Sequence, residues 1–250
     1  SNMEMLMKGY KAEPVEGAAE ELLSCKDNEL RLFYGKRLAS LEPQNDLKVS
    51  WQEANAASVR EFSATAYYFG KALRQMLGVP VGLICTAFGG SACEAWMNAD
   101  WLKAFPKVNQ HVTEQDVKKL QQRCPTSLYN GQLKPLIGYG IRGAIWYQGE
   151  DNVPRYEYYA PLMARMVQGW REDWQQGDFP FYYCQIAPDI LDLIGYIGKK
   201  IKGIPSIYVR QITVYVRCLK NREKINGVVL DRFLRITAAQ PVEGHLGLLP

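Results

Sequence analysis

Ten residues, Val79-Pro-Val-Gly-Leu-Ile-Cys-Thr-Ala-Phe88, form a nearly unbroken apolar run that stops at Gly89-Gly90-Ser91. A run this short, rich in β-formers and bounded by glycine, reads as a strand covered on both faces, the habit of strands in a parallel sheet. Before it, Ala64, Tyr67, Tyr68, Lys71, Ala72 and Met76 make a stripe at helical spacing, closed by Gly78 and Pro80. Helix, strand and glycine turn is the repeating unit of an α/β domain, so the chain is expected to build an α/β fold around a mostly parallel sheet.

The stretch Arg142-Gly-Ala-Ile-Trp-Tyr-Gln-Gly-Glu-Asp-Asn152 repeats the pattern: a short apolar strand breaks off at Gln148-Gly149 and polar groups follow. In open α/β sheets ligands sit in the crevice outside the carboxyl ends of the strands, which would turn Gln148, Glu150 and Asn152 toward a substrate. A strand followed by an ordinary polar turn is the competing reading. Gly89 and Gly90 end the earlier strand, and their bare backbone can approach a ligand closely enough to form an oxyanion-binding nest; plain turn chemistry is again the alternative. Glu94, Trp96 and Trp101 follow, the tryptophans suited either to a sugar ring or to the core.

Further elements are legible on both sides. Leu30–Tyr34 and Asp178–Ala187 are expected as strands, and 18–25, 112–123 and 156–174 as helices, the last with Leu162, Met166 and Trp170 along one face. His111 opens the second of these helices and is expected to be a solvated residue. Trp51–Phe62 is polar and expected to loop across the surface.

Composition narrows the classes. With 47% hydrophobic and 22% charged residues, 250 residues suffice for one domain with a sizeable core. Residues 1–188 carry 20 basic and 21 acidic side chains, and residues 189–250 carry 10 and 5, so the net charge of +4 is wholly C-terminal. Those basic residues are scattered among Ile, Val and Gly without an aromatic stacking pattern, which argues against nucleic acid as a partner. Six cysteines without a C-x-x-C pair, beside two histidines, argue against zinc, and Cys85 and Cys184 are expected as buried thiols. No apolar run reaches membrane-spanning length and no leader opens the sequence. A glycine-rich phosphate loop in the required form is also missing, which disfavours a nucleotide binder.

Taken together, Ser1-Asn-Met-Glu-Met, Val79-Pro-Val-Gly-Leu-Ile with Gly89-Gly90 and Glu94-Ala-Trp96, Leu128-Tyr-Asn-Gly131 with Pro135-Leu-Ile137, Ile145-Trp-Tyr-Gln-Gly-Glu-x-Asn152 and Gly177-Asp-Phe-Pro-Phe-Tyr182 resemble the bacterial sialate O-acetylesterase family. The resemblance covers about residues 1–188 in order. It implies an SGNH-type hydrolase with a three-layer, flavodoxin-like α/β fold and a serine nucleophile, acting without metal or organic cofactor on O-acetyl esters of sialic acid or related acetylated sugars. Ser1 and Asn2 match the last half of the Gly-Gln-Ser-Asn block that carries the nucleophile; a remnant of tag removal before Met3 is the other reading of that pair. Gly89 or Gly90 matches the glycine whose amide helps bind the oxyanion. Gln148-Gly149-Glu150-x-Asn152 matches the block supplying a side-chain donor, with Asn152 the expected one. Asp151 stands where serine is usual and is expected to be an exposed, tolerated change. A periplasmic or secreted location is also implied.

The base is the weak point of the resemblance. The family draws it from an Asp-x-x-His element, and no Asp in this sequence is followed three residues later by His. His245, near Glu243, is the remaining candidate, although Gln240-Pro-Val-Glu-Gly-His-Leu246 also aligns that histidine with an arginine position beyond the base. Residues 189–250 lose clean periodicity and are expected to be an atypical segment of the same domain, through divergence or a disrupted reading frame, with marginal packing. Two functions therefore stay open, an active acetylesterase and a catalytically impaired carbohydrate-binding relic of the same fold.

Overall fold

The computed structural model of the chain describes residues 2–9, 14–184 and 186, together with the backbone of 214–218 and 234–236. Helix α1 (Ala18–Ser24) leads into strand β1 (Asp27–Tyr34). Strand β2 (Gln52–Ala54), helix α2 (Ala56–Arg60), helix α3 (Ala64–Leu77) and strand β3 (Val81–Cys85) follow. Then come α4 (Ala99–Leu102), α5 (Glu114–Leu120), β4 (Ala144–Trp146), α6 (Tyr159–Trp174) and β5 (Phe181–Cys184), with β6 (Val214–Cys218) and β7 (Leu234–Ile236) last.

The expected α/β class holds, and the strands among the described residues form two small sheets, ordered β2-β1-β3 and β4-β5-β6-β7. Pairing is parallel for β1–β3, where Leu30 faces Val81 and Tyr34 faces Cys85, and for β4–β5, where Ala144 faces Phe181. Each of these pairs has a helical crossover, α3 or α6, as parallel pairing requires. The outer pairs β1–β2, β5–β6 and β6–β7 are antiparallel, so the sheet is only partly the parallel one anticipated.

Helix α3 shows why the α/β unit forms. Ser63 caps its start by accepting from Ala66 N at 3.1 Å, and Gly78, at φ 65°, ends it with its N–H on Arg74 O. At Gly70 a β-carbon would lie 2.5 Å from Leu83 Cδ1, so only glycine lets the helix lie this close on β3. Its buried face is Ala64, Ala66, Tyr67 and Gly70. Met76, assigned to that face by its spacing, is instead 67% exposed, as is Leu77 beside it at 60%, so the last turn of the helix is not covered.

Two other expectations are corrected. Residues 51–62 are no surface loop: Asn55 and Ser58 form a reciprocal capping box that starts α2, and Val59 and Phe62 are buried. The helix expected from 156 begins as a 3-10 stretch over Glu150–Tyr158, interrupted by Pro154 and non-helical Arg155, and becomes α-helical at Tyr159. Leu162, Met166 and Trp170 are buried in it as anticipated.

One core gathers Trp96, Trp101, Trp146, Trp170 and Phe181 under α6. The other joins the two sheets, with Leu30, Leu32, Leu83 and Cys85 packed together with Tyr147 and Cys184. Met3 and Met7 belong to this second core and anchor the N-terminal segment. Burial pushes the Cys85 thiol up to about 12, and the Cys93 thiol is raised by burial as well, in keeping with inert core cysteines.

Candidate active site

The carboxyl ends of β3 and β4 are bridged by the short 3-10 turn Asn2–Glu4. Asn2 N donates to Tyr147 O, just past β4, at 3.0 Å, and Cys85 Sγ, at the end of β3, lies 3.9 Å from Met3 O. The Asn2 side chain donates to Glu150 Oε1. Glu4 then reaches the glycine turn: its carboxylate accepts the Gly89 amide at 2.5 Å and pairs with Arg37. Three sequence blocks, at residues 2–4, 89–90 and 148–152, are thus tied to one another by hydrogen bonds.

Beneath this surface lies a buried polar chain. Gln148 Nε2 donates to Ser91 O at 2.8 Å and to Asn152 Oδ1 at 2.7 Å. Asn152, 1% exposed, also accepts the Cys93 amide at 2.9 Å, and its Nδ2 donates to Glu94 Oε2 at 2.8 Å. Glu94 takes further bonds from Arg155 Nε at 3.3 Å and the Tyr158 hydroxyl at 3.2 Å. Tyr159 donates its hydroxyl toward Gln148 Oε1 at 2.9 Å. Buried amides and carboxylates are stable only when partnered in this way, and the network locks the strand end of β4 to the turn after β3. Burial, and then the charge of Glu94, push the Tyr158 hydroxyl up, so it stays a neutral donor.

The sequence-derived residues fall out as follows. Gly89, Gly90, Gln148, Gly149, Glu150 and Asn152 are all brought to this one region. Gly89 is half-buried and its amide is taken by Glu4, whereas Gly90 is exposed, at φ 69°, a backbone region that favours glycine. Glu150 is exposed and holds Asn2. Ser1 and His245 lie outside the described residues, as does most of the segment 189–250. Trp96 and Trp101 pack in the core, the former with its indole N–H on Ser91 Oγ at 3.0 Å, which settles their choice between sugar and core. His111 is exposed at the approach to α5.

Asp151 requires a correction. Far from being an exposed change, its side chain is 11% exposed and accepts from Arg123 Nε at 2.5 Å and from Arg155 Nη2 at 3.4 Å. Glu4, Arg123 and Arg155 were not anticipated from sequence at all. The i,i+4 spacing of Asp151 and Arg155 was the one local signal for an ion pair; Arg123 is 28 residues from its partner and Glu4 is 85 from its own.

Against known proteins, the family described as carbohydrate esterase, sialic acid-specific acetylesterase, matches residues 9–214. The chain belongs to that family. Ser1 precedes the matched span. Sialate O-acetylesterase of Mus musculus is 25% identical over 233 residues, covering 76% of this chain and 42% of the relative. The Homo sapiens sialate O-acetylesterase is 30% identical over 136 residues, covering 51% of this chain and 26% of the relative. A crystal structure described as a novel carbohydrate acetylesterase from Xanthomonas citri shares 32% identity at a TM-score of 0.62, over 73% of this chain and 38% of that one. The chain therefore spans less than half the length of these relatives. The likeness carries the SGNH-type α/β architecture expected of the sequence, and no helix among the described residues is long and apolar enough to cross a membrane.

Proposed function

We propose that this chain contributes the hydrolytic centre of a carbohydrate esterase that removes O-acetyl groups from sialic acid or related acetylated sugars, with Ser1 as the nucleophile. The observation that carries this reading is the convergence just described: Asn2, next to the serine, is bonded to the Tyr147 carbonyl and to Glu150, while Glu4 of the same turn is bonded to the Gly89 amide. Asn2 and Glu4 are thus held against the glycine turn and the Gln148–Asn152 block, which supports assigning the nucleophile to the residue that precedes them.

In the proposed chemistry the Ser1 hydroxyl attacks the acetyl carbonyl and passes its proton to a base, for which His245 is the candidate. The tetrahedral oxyanion needs fixed donors, each worth on the order of 3 kcal/mol of barrier. Among the described residues Glu4 takes the Gly89 amide and none takes that of Gly90, which makes Gly90 the proposed backbone donor; Asn152 Nδ2, which gives one hydrogen to Glu94, is the proposed side-chain donor. Collapse expels the sugar oxygen, which takes the proton, and water then releases acetate from the acyl-enzyme. An exported location belongs to the same proposal, and recovery of the protein in the cytoplasmic fraction of its host would contradict it.

The test is hydrolysis of p-nitrophenyl acetate by the chain and by Ser1→Ala. The proposal expects turnover above the buffer rate that drops to background, by about a thousandfold or more, in the variant. Equal rates would remove the serine mechanism. One observation favours the second reading, an impaired sugar-binding relic: the sequence has no Asp-x-x-His element. In that case both proteins stay at the buffer rate while free sugar still binds.

A further inference from the structure

Beside the glycine turn opens a cavity of about 280 Å³, near the low end of small-molecule sites, whose lining includes Lys107, Asn109, Arg123, Arg155 and Tyr158. Three cations face it against two carboxylates, Glu94 and Asp151, and the carboxylates are largely buried and already bonded. Asp151 divides its two oxygens, Oδ1 accepting from Arg123 Nε at 2.5 Å and Oδ2 from Arg155 Nη2 at 3.4 Å. Arg123 is therefore gripped by its inner edge alone. Its terminal amino groups bond to none of the described residues, the side chain is 58% exposed, and Nη2 sits 3.8 Å from where a β-carbon on Gly90 would be. A guanidinium fixed on one edge and open on the other presents a preset fork for a carboxylate.

We propose that Arg123 is a specificity-determining residue that binds the carboxylate of an acidic sugar in this cavity, and that Asp151 is the positioning residue that aims it. The inference rests on reading the adjoining turn as the esterase centre, and it deepens that reading: an acid group held at Arg123 places the rest of the sugar ring, with its acetylated hydroxyl, over Gly90. Arg155, bonded through Nε to Glu94 at 3.3 Å and through Nη2 to Asp151 at 3.4 Å, has less of its fork open to an anion than Arg123.

The experiment is calorimetric titration of the chain with N-acetylneuraminic acid and with its methyl ester, which has the same ring without the charge. The wild-type chain binds the acid about tenfold or more tightly than the ester, as a charge-assisted bond of ordinary strength requires. Arg123→Gln brings that ratio to about one. Asp151→Ser keeps the guanidinium but frees it, so the ratio drops severalfold, and Asp151→Asn, which retains an acceptor for Nε, recovers part of it. A purely structural role for Asp151 would weaken both ligands alike and leave the ratio unmoved. Equal affinities for acid and ester in the wild-type chain overturn the proposal without any variant, as does a ratio that survives Arg123→Gln. Binding needs no turnover: a chain that prefers the acid yet hydrolyses no acetyl ester refutes the esterase centre and upholds the anion subsite, and the converse result does the opposite.

Discussion

Removing the Asn152 side chain tests the buried network more sharply than any other single change. In Asn152→Ala the Cys93 amide loses its acceptor inside the core, at a cost of about 1–3 kcal/mol, and Glu94 loses a charge-assisted bond worth about 1.5–3 kcal/mol. Gln148 keeps Ser91 O, and Glu94 keeps Arg155 and Tyr158, so the two losses do not fully add. A destabilisation of about 3 kcal/mol follows, or roughly 6–12 °C in Tm for a chain of this size. Asn152→Asp separates charge from volume. It keeps the acceptor for Cys93 but turns a second carboxyl toward Glu94 Oε2, where the donor now stands at 2.8 Å. That neighbouring charge raises the folded-state pKa of the introduced acid above its unfolded value of about 3.9. The folded form then binds the extra proton more tightly than the unfolded one, so stability relative to wild type declines as pH rises from about 4 toward neutrality. Urea unfolding at pH 5 and pH 8 reads both effects. An alanine variant within about 0.5 kcal/mol of wild type, or an aspartate variant with unchanged pH dependence, would refute the network as drawn.

Two further perturbations probe the scaffold. Burial alone would raise the Glu21 carboxyl, but hydrogen bonds from Lys71 at 2.7 Å and from the Tyr67 hydroxyl at 2.5 Å outweigh it and hold it below the usual range. A depressed carboxyl stabilises above its unfolded pKa, so Glu21→Gln should lower stability at pH 7, with the gap to wild type closing below about pH 4; a constant gap across pH would show that the ion pair is not its origin. Gly70→Ala should cost about 1–2 kcal/mol by overpacking against Leu83, despite the better helix propensity of alanine. Trimming Leu83 to Val in the same chain should recover part of the loss, and a Gly70→Ala chain more stable than wild type in denaturant would mean that α3 does not lie this close on β3.

What the sequence disclosed follows from how local each signal is. Strands β1 and β3 and helix α3 stood out because runs of eight, five and fourteen residues carry their own periodicity and stop signals. The five-residue α2 did not: its definition comes from the Asn55–Ser58 capping box, and so short a helix leaves too few apolar positions for a stripe. Gln148 and Asn152 were legible as members of one polar block because a strand end followed by four residues of turn brings them together; the sequence turned both toward a substrate, whereas they are buried and bonded to each other at 2.7 Å. The burial of Asp151 was invisible, since what covers it arrives from Arg123, on a separate turn. Glu4 on Gly89 is the same kind of fact, decided where two distant segments meet and by no pattern within either.

The proposed esterase depends above all on a nucleophilic hydroxyl at Ser1. A fluorophosphonate ester, which reacts with activated serines, followed by digestion and mass mapping of the labelled peptide, asks this directly. The account predicts stoichiometric modification of Ser1 with parallel loss of acetyl-ester hydrolysis. Hydrolysis that persists with Ser1 unlabelled, or a label carried by Ser91, Ser127 or another serine in its place, would contradict it.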